Sequence, residues 1–243
     1  MSHSHTHGPG EHHHGHSHHD YTNANQEHYD KTATEYDAIP GAVERSQRSV
    51  EALRDAYPFD KSSTTVMEFA CGTGLVSKGL FPYVRSILGV DISQGMIDQY
   101  NKRVDAEGVP ADSFHAIRAE LKGEDGELDG KKFDVIICCS AYHHFSSVEE
   151  ITRILVSFLK PGGTLLIIDH KPTSREEMES IWPGKFSDQV VALPGGFEEE
   201  VVQKLFEGAG LVDFVHKDVP SAKVIRDMEL FVAKGVKPLT SGV

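Results

Sequence analysis

No apolar run in this 243-residue chain reaches the roughly 20 residues that a membrane-spanning helix needs. No membrane insertion is therefore expected. Cysteine is scarce. Cys71, Cys138 and Cys139 are the only three, which gives no disulfide framework and makes a reducing, cytoplasmic setting the expectation. Positive charge is also short. There are 24 Lys and Arg against 37 Asp and Glu, a formal charge of −13, with no basic stripe. The electrostatic footprint of a nucleic-acid binder is missing, so no such partner is expected. The polar, histidine-rich start does not read as a secretory signal.

What the chain does contain falls into three parts. Residues 1–20 are a low-complexity tail of His, Ser and Gly, with nine histidines between His3 and His19. The tail is expected to be disordered. Weak binding of zinc, nickel or copper and no role at all both stand. Residues 21–243 read as a single domain, of a length that suits one α/β core. It opens with a helical cap over about 21–60, in which Tyr29 and Tyr36 lie seven residues apart and share a face if the helix is continuous. Beyond the cap, β-like runs near 65–69, 86–90, 114–119, 133–138, 164–169, 211–219 and 228–234 alternate with helical runs that fill the gaps. The alternation predicts an α/β fold, a seven-stranded, mostly parallel sheet with helices on both faces. The connection from Pro220 to Asp227 is too short for a packed crossover helix, so the last two strands should form an antiparallel hairpin.

The chemistry concentrates at the strand ends. Val66-Met67-Glu68-Phe69 runs into Ala70-Cys71-Gly72-Thr73-Gly74, a small-residue turn that lets backbone pass close to a ligand. The next run ends in Asp91, whose carboxylate can accept from both hydroxyls of a ribose. A dinucleotide site wants a third glycine, but Ser77 stands there, and Glu68 would repel a pyrophosphate. An acid at that place suits a cationic cofactor instead.

Glu68-x-Ala70-x-Gly72-x-Gly74 resembles the first motif of the class I S-adenosylmethionine-dependent methyltransferases, with Ala70 for the usual first glycine. Asp91-Ile92-Ser93-Gln94-Gly95-Met96 resembles their second motif, residues 133–140 their fourth strand, and Leu159-Lys160-Pro161-Gly162-Gly163 the turn before the fifth. Four motifs in order carry the resemblance, which covers roughly 29–236, and His143-His144, a pair also found in ubiquinone- and menaquinone-type enzymes, makes it most similar to that small-molecule branch. It implies a Rossmann-like fold, S-adenosyl-L-methionine as cofactor, and methyl transfer to O, N or S of a small molecule. It also implies a cofactor site of Tyr29, Glu68, Ala70, Cys71, Gly72, Gly74, Asp91, Ile92, Met96, Glu120, Leu121, Cys139 and Ser140.

His143-His144 follows the fourth strand, where the transferred methyl group points in that family. Either imidazole could take the acceptor's proton. A structural role as a helix cap or a partner of a backbone carbonyl stands equally, with His143 expected to matter more because it is nearer the strand tip. No metal ligands are assigned in the folded part. The segment 170–196, with Trp182, Phe186 and Pro194, is the expected acceptor-side insert. Two other readings remain: a nicotinamide-dependent oxidoreductase, and a non-catalytic cofactor- or metal-binding protein on a vestigial methyltransferase domain. Oligomeric state is not legible.

Overall fold

The computed structural model describes residues 20–110, 112–181, 187–223 and 226–239. The tail expected to be disordered, and Trp182 and Phe186 of the insert, lie outside the described residues. Seven strands form one sheet: β1 (Thr65–Phe69), β2 (Ser86–Asp91), β3 (Phe114–Arg118), β4 (Phe133–Cys139), β5 (Leu159–His170), β6 (Val212–Asp218) and β7 (Leu230–Val236), in the order β3-β2-β1-β4-β5-β7-β6. The first five pair in parallel, while β7 runs antiparallel to both β5 and β6. The expected hairpin is present, and its second strand inserts between β5 and β6.

The strands are apolar on both faces because both faces are covered. On one face, Met67, Ile136, Leu165 and Ile167 pack with Leu155 of α5 (Val148–Ser157) and Phe206 of α7 (Glu199–Gly208). On the other, Val66, Val135, Ile137 and Leu166 pack with Leu53 of α2 (Ala42–Ala56), Leu80 of α3 (Leu75–Leu80) and Tyr100 of α4 (Gln94–Glu107). Met178 of α6 (Arg175–Ile181) joins the second layer. The short polar residues before the helices set their starts. Ser93 and Ser147 accept from Met96 N–H and Glu150 N–H and cap α4 and α5.

Three expectations need correction. No α-helix fills the gap between β3 and β4. That crossover is a loop with one 3₁₀ turn at Glu127–Gly130, anchored by the buried Leu121 in the α5 layer. β5 begins at Leu159 rather than 164, and the pairing with β4 jumps from Phe133–Leu159 to Val135–Thr164. Lys160 to Gly163 therefore bulge within the strand, with Gly162 at φ +78°. The cap is not one continuous helix. α1 (Tyr21–Thr32) gives way to a 3₁₀ turn over Ala33–Ala38 before α2.

Candidate functional site

All five parallel strands end on the same edge of the sheet, and α1 and the 3₁₀ turn cross over that edge. The cleft between them is lined by Glu68, Ala70, Cys71 and Gly72 from the end of β1, and Asp91, Ile92 and Met96 from β2 and α4. Glu120 and Leu121 follow β3, and Cys139, Ser140 and His144 follow β4. Tyr29 and Tyr36 close it from the cap. Of the thirteen cofactor-side residues expected, twelve line this cleft. The exception is Gly74, which starts α3 at φ +80° and lies so close to Tyr100 that an added Cβ would sit 2.5 Å from that ring. Its role is to let α3 dock on α4.

The turn after β1 needs left-handed backbone at Ala70 (φ +54°) and Gly72 (φ +53°). The turn holds the Gly72 N–H 2.9 Å from Asp91 Oδ2, while Ser93 N–H donates to Asp91 Oδ1 at 2.9 Å. Two backbone donors thus fix the Asp91 carboxylate and leave its other lone pairs for a ligand. Burial nevertheless pushes its pKa up. Glu68 is buried on the α3 side of β1, where the Ser77 hydroxyl donates to it, and burial pushes its pKa up to about 8. Neither acid forms an ion pair with a described residue. Glu120 is different. It is exposed and paired with Lys122 at the rim.

The two histidines part company. His144 faces the cleft. Its Nδ1 lies 2.6 Å from Val190 O, which can only accept, so the proton is on Nδ1. Nε2 then carries the lone pair and accepts from the Tyr29 hydroxyl at 3.0 Å. Burial, with His143 alongside, pushes the His144 pKa down to about 3. His143 does not line the cleft. Its Nδ1 turns behind His144 and donates to Asp169 Oδ1 at 2.8 Å, and the two imidazole rings lie tilted at 39° with centroids 4.2 Å apart. His143, favoured for its place nearer the strand tip, lies outside the cleft lining, and His144 of the same 3₁₀ turn Tyr142–His144 is part of it.

Sequence reading missed several members. Tyr36, placed by its spacing on one face with Tyr29 but not among the expected site residues, shares the cleft wall with it, with ring centroids 6.2 Å apart. Asn25 is buried in the wall, and its amide donates to Tyr21 O and Val190 O while its Oδ1 has no hydrogen-bond partner. Asp30 accepts from Ser93 Oγ (2.6 Å) and Gly95 N–H (3.0 Å), and Asp37 accepts from Thr73 Oγ1 (2.6 Å) and pairs with Arg103. These bonds pin the cap to the turns that carry Gly72 and Asp91. Polar helix residues distant in sequence carry no local signal of such pairing.

Residues 67–165 match a family described as a methyltransferase domain. An uncharacterized methyltransferase of Schizosaccharomyces pombe is 36% identical over 62% of this chain and 54% of its own length. A ubiquinone biosynthesis O-methyltransferase of Rhizobium etli is 28% identical over 52% of this chain and 45% of its own. The chain thus spans about half the length of the curated relatives it matches. Among solved structures, phosphoethanolamine N-methyltransferase 2 of Haemonchus contortus, in complex with S-adenosyl-L-methionine, superposes with a TM-score of 0.65 at 14% identity. That match covers 90% of this chain and 60% of the other and shows a shared fold.

Proposed function

We propose, because this chain belongs to the class I S-adenosylmethionine-dependent methyltransferase family, that it binds S-adenosylmethionine in the cleft and methylates an O, N or S atom of a small molecule. The observation that carries this reading is the pair Glu68 and Asp91. They are carboxylates at adjacent strand ends, set into one cleft without a cationic side chain bonded to either. Such a floor favours a ligand that carries ribose hydroxyls and a positive charge, which draws Glu68 into its carboxylate form, whereas a pyrophosphate opposes that ionisation, which weighs against the nicotinamide reading.

The residues fit the cofactor. A Cβ built on Gly72 meets nothing within 4 Å, so the backbone there is open to the cleft. Asp91 would hold the ribose hydroxyls and Glu68 the charged methionine end. Ile92, Met96 and Leu121 would enclose the adenine with Glu120 at its edge. When bound, S-adenosylmethionine supplies an electrophilic methyl group on a sulfonium.

The cap side of the cleft suits the acceptor. Asn25 Oδ1 is a buried lone-pair site that an N–H or O–H of the acceptor can satisfy. His144 Nε2, held neutral with its lone pair toward the cleft, is the proton acceptor, and the Tyr29 hydroxyl on it is the group an acceptor displaces. Orientation by the cap and exclusion of water supply the rest of the rate.

The test is calorimetry with S-adenosylmethionine, S-adenosylhomocysteine and NAD. We expect the first two to bind and to raise the melting temperature, and NAD to do neither. Absence of binding by S-adenosylhomocysteine far above micromolar concentration removes the reading. A screen of phenols, thiols, amines and hydroxylated heterocycles, read by S-adenosylhomocysteine release, then names the acceptor.

A further inference from the structure

Behind His144, at the ends of β4 and β5, lies a second constellation that methyl transfer does not use. Asp169 and His170 close β5, and His143 comes from the turn after β4. One ligand-type atom from each of the three lies within 4.8 Å of the others, and Asp169 and His170 are buried. The Asp169 carboxylate is fully buried and ionised. Burial alone would raise its pKa, but His143, His170 and the His170 N–H overrule that and hold it down to about 2.

The His170 ring makes this more than a hydrogen-bonded trio. Its Nδ1 faces Lys171 O at 3.3 Å, and a carbonyl only accepts, so the proton sits on Nδ1. Burial lowers the ring's pKa. Nε2 therefore points a lone pair at Asp169 Oδ1 from 3.8 Å, one electron-rich atom facing another. On the other side, His143 Nδ1 lies 2.8 Å from the same oxygen. Ligands about 2.0–2.1 Å from a tetrahedral zinc stand about 3.3 Å apart, so the 2.8 Å pair must open and the 3.8 Å pair close by about half an ångström, and the His143–His170 pair, held within 4.8 Å, must close by up to about 1.5 Å. Two imidazoles and one carboxylate are zinc-class donors, and they suit calcium or magnesium poorly.

The geometry points to a binding site for a zinc-class divalent cation formed by His143, Asp169 and His170. On binding, the cation bonds to His143 Nδ1, Asp169 Oδ1 and His170 Nε2, and the proton that His143 Nδ1 shares with Asp169 leaves to solvent. Water fills the fourth position on the side where the His143 side chain keeps 17% of its exposure. The role is structural. His143 O accepts from Leu193 N–H and His170 O from Phe197 N–H, so the site ties the His144 turn to the segment that carries Val190, the fixed partner of His144. Gly196 permits that approach, since a Cβ there would lie 2.7 Å from His170 Nδ1.

The test uses the full chain, stripped with chelator, against His170→Gln and His143→Gln. The nine histidines between His3 and His19 are common to all three and cancel in the difference. Zinc titration should show one equivalent more in the wild type than in either variant, and zinc should raise the melting temperature of the wild type alone. Equal stoichiometry together with equal thermal shifts overturns the site. If a variant fails to fold, the wild type decides by itself. Added Co2+ should broaden the backbone amide signals of residues 140–144 and 168–172 at one equivalent, and unbroadened signals there at saturating Co2+ overturn the site equally.

Discussion

The floor and the roof of the cleft are built on different physics. The floor is backbone. Left-handed turns at Ala70 and Gly72 present an N–H to Asp91, and the strands beneath lie in the core of the sheet. The roof is side chain. Tyr29, Asp30 and Asp37 reach across to His144, Ser93 and Thr73, and no strand pairing holds them there. A backbone floor is rigid before any ligand arrives. A roof held by a few side-chain bonds can release and re-form, as substrate entry and product exit require.

Substitutions sharpen that contrast. The largest effect is expected where the roof meets the floor's chemical group. His144→Ala should lower turnover by roughly 10²–10⁴-fold while leaving cofactor affinity near the wild type. His144 titrates at about 3, so wild-type turnover should show no acid limb from this group near neutrality. A limb near pH 6.5 that vanishes in the variant would instead assign the imidazole an unperturbed pKa.

Asp91→Ala attacks the floor. Its two ribose bonds to a charged acceptor are worth roughly 1.5–3 kcal/mol each, so cofactor binding should weaken at least about a hundredfold, measured by calorimetry, in a folded protein. Unchanged affinity would separate the ribose site from β2.

Glu68 tests the floor's electrostatics. Its folded pKa is raised to about 8, so the unfolded chain ionises first and the free protein loses stability as pH climbs from about 4.5 to 8. A cationic ligand selects the carboxylate form. Affinity for S-adenosylmethionine should therefore rise by up to about tenfold between pH 7 and 9, and Glu68→Gln should flatten both trends. Parallel profiles for the two proteins would mean that Glu68 is ionised throughout.

The smallest effect is expected at the hinge between the regions. Asp30→Ala removes two hydrogen bonds from the cap, worth about 1 kcal/mol at a partly exposed site, so cofactor affinity should fall roughly fivefold. A loss as large as that of Asp91→Ala would place the cap within the floor's rigid unit.

The same division decides what the sequence disclosed. The floor follows from local pattern. A β-like run, small residues and an acid at the next strand end sit within about 25 residues, and they gave both the sheet and the cleft. The roof depends on pairs such as Tyr29–His144, 115 residues apart, and no periodicity encodes their meeting. Which of His143 and His144 lines the cleft was illegible for a related reason. It hangs on the rotation of one 3₁₀ turn, which neither residue announces. Asp169 and His170 went unnoticed because an acid and a histidine ending an apolar strand look like its solvent edge, yet both are buried. The bulge of β5 escaped because Pro161-Gly162-Gly163 reads as a stop, while the backbone goes through it and resumes pairing.

The insertion of β7 between β5 and β6 sets an order on assembly. Leu165 to Ile168 of β5 pair on one side with β4, which precedes them in the chain, and on the other with residues 232–235. During synthesis the second side stays open while more than sixty further residues are made. For that interval the nascent chain exposes an apolar strand edge, the kind of surface that recruits chaperones or neighbouring chains. A truncation ahead of residue 230 would make this transient state permanent, and aggregation rather than loss of ligand binding would be its first symptom.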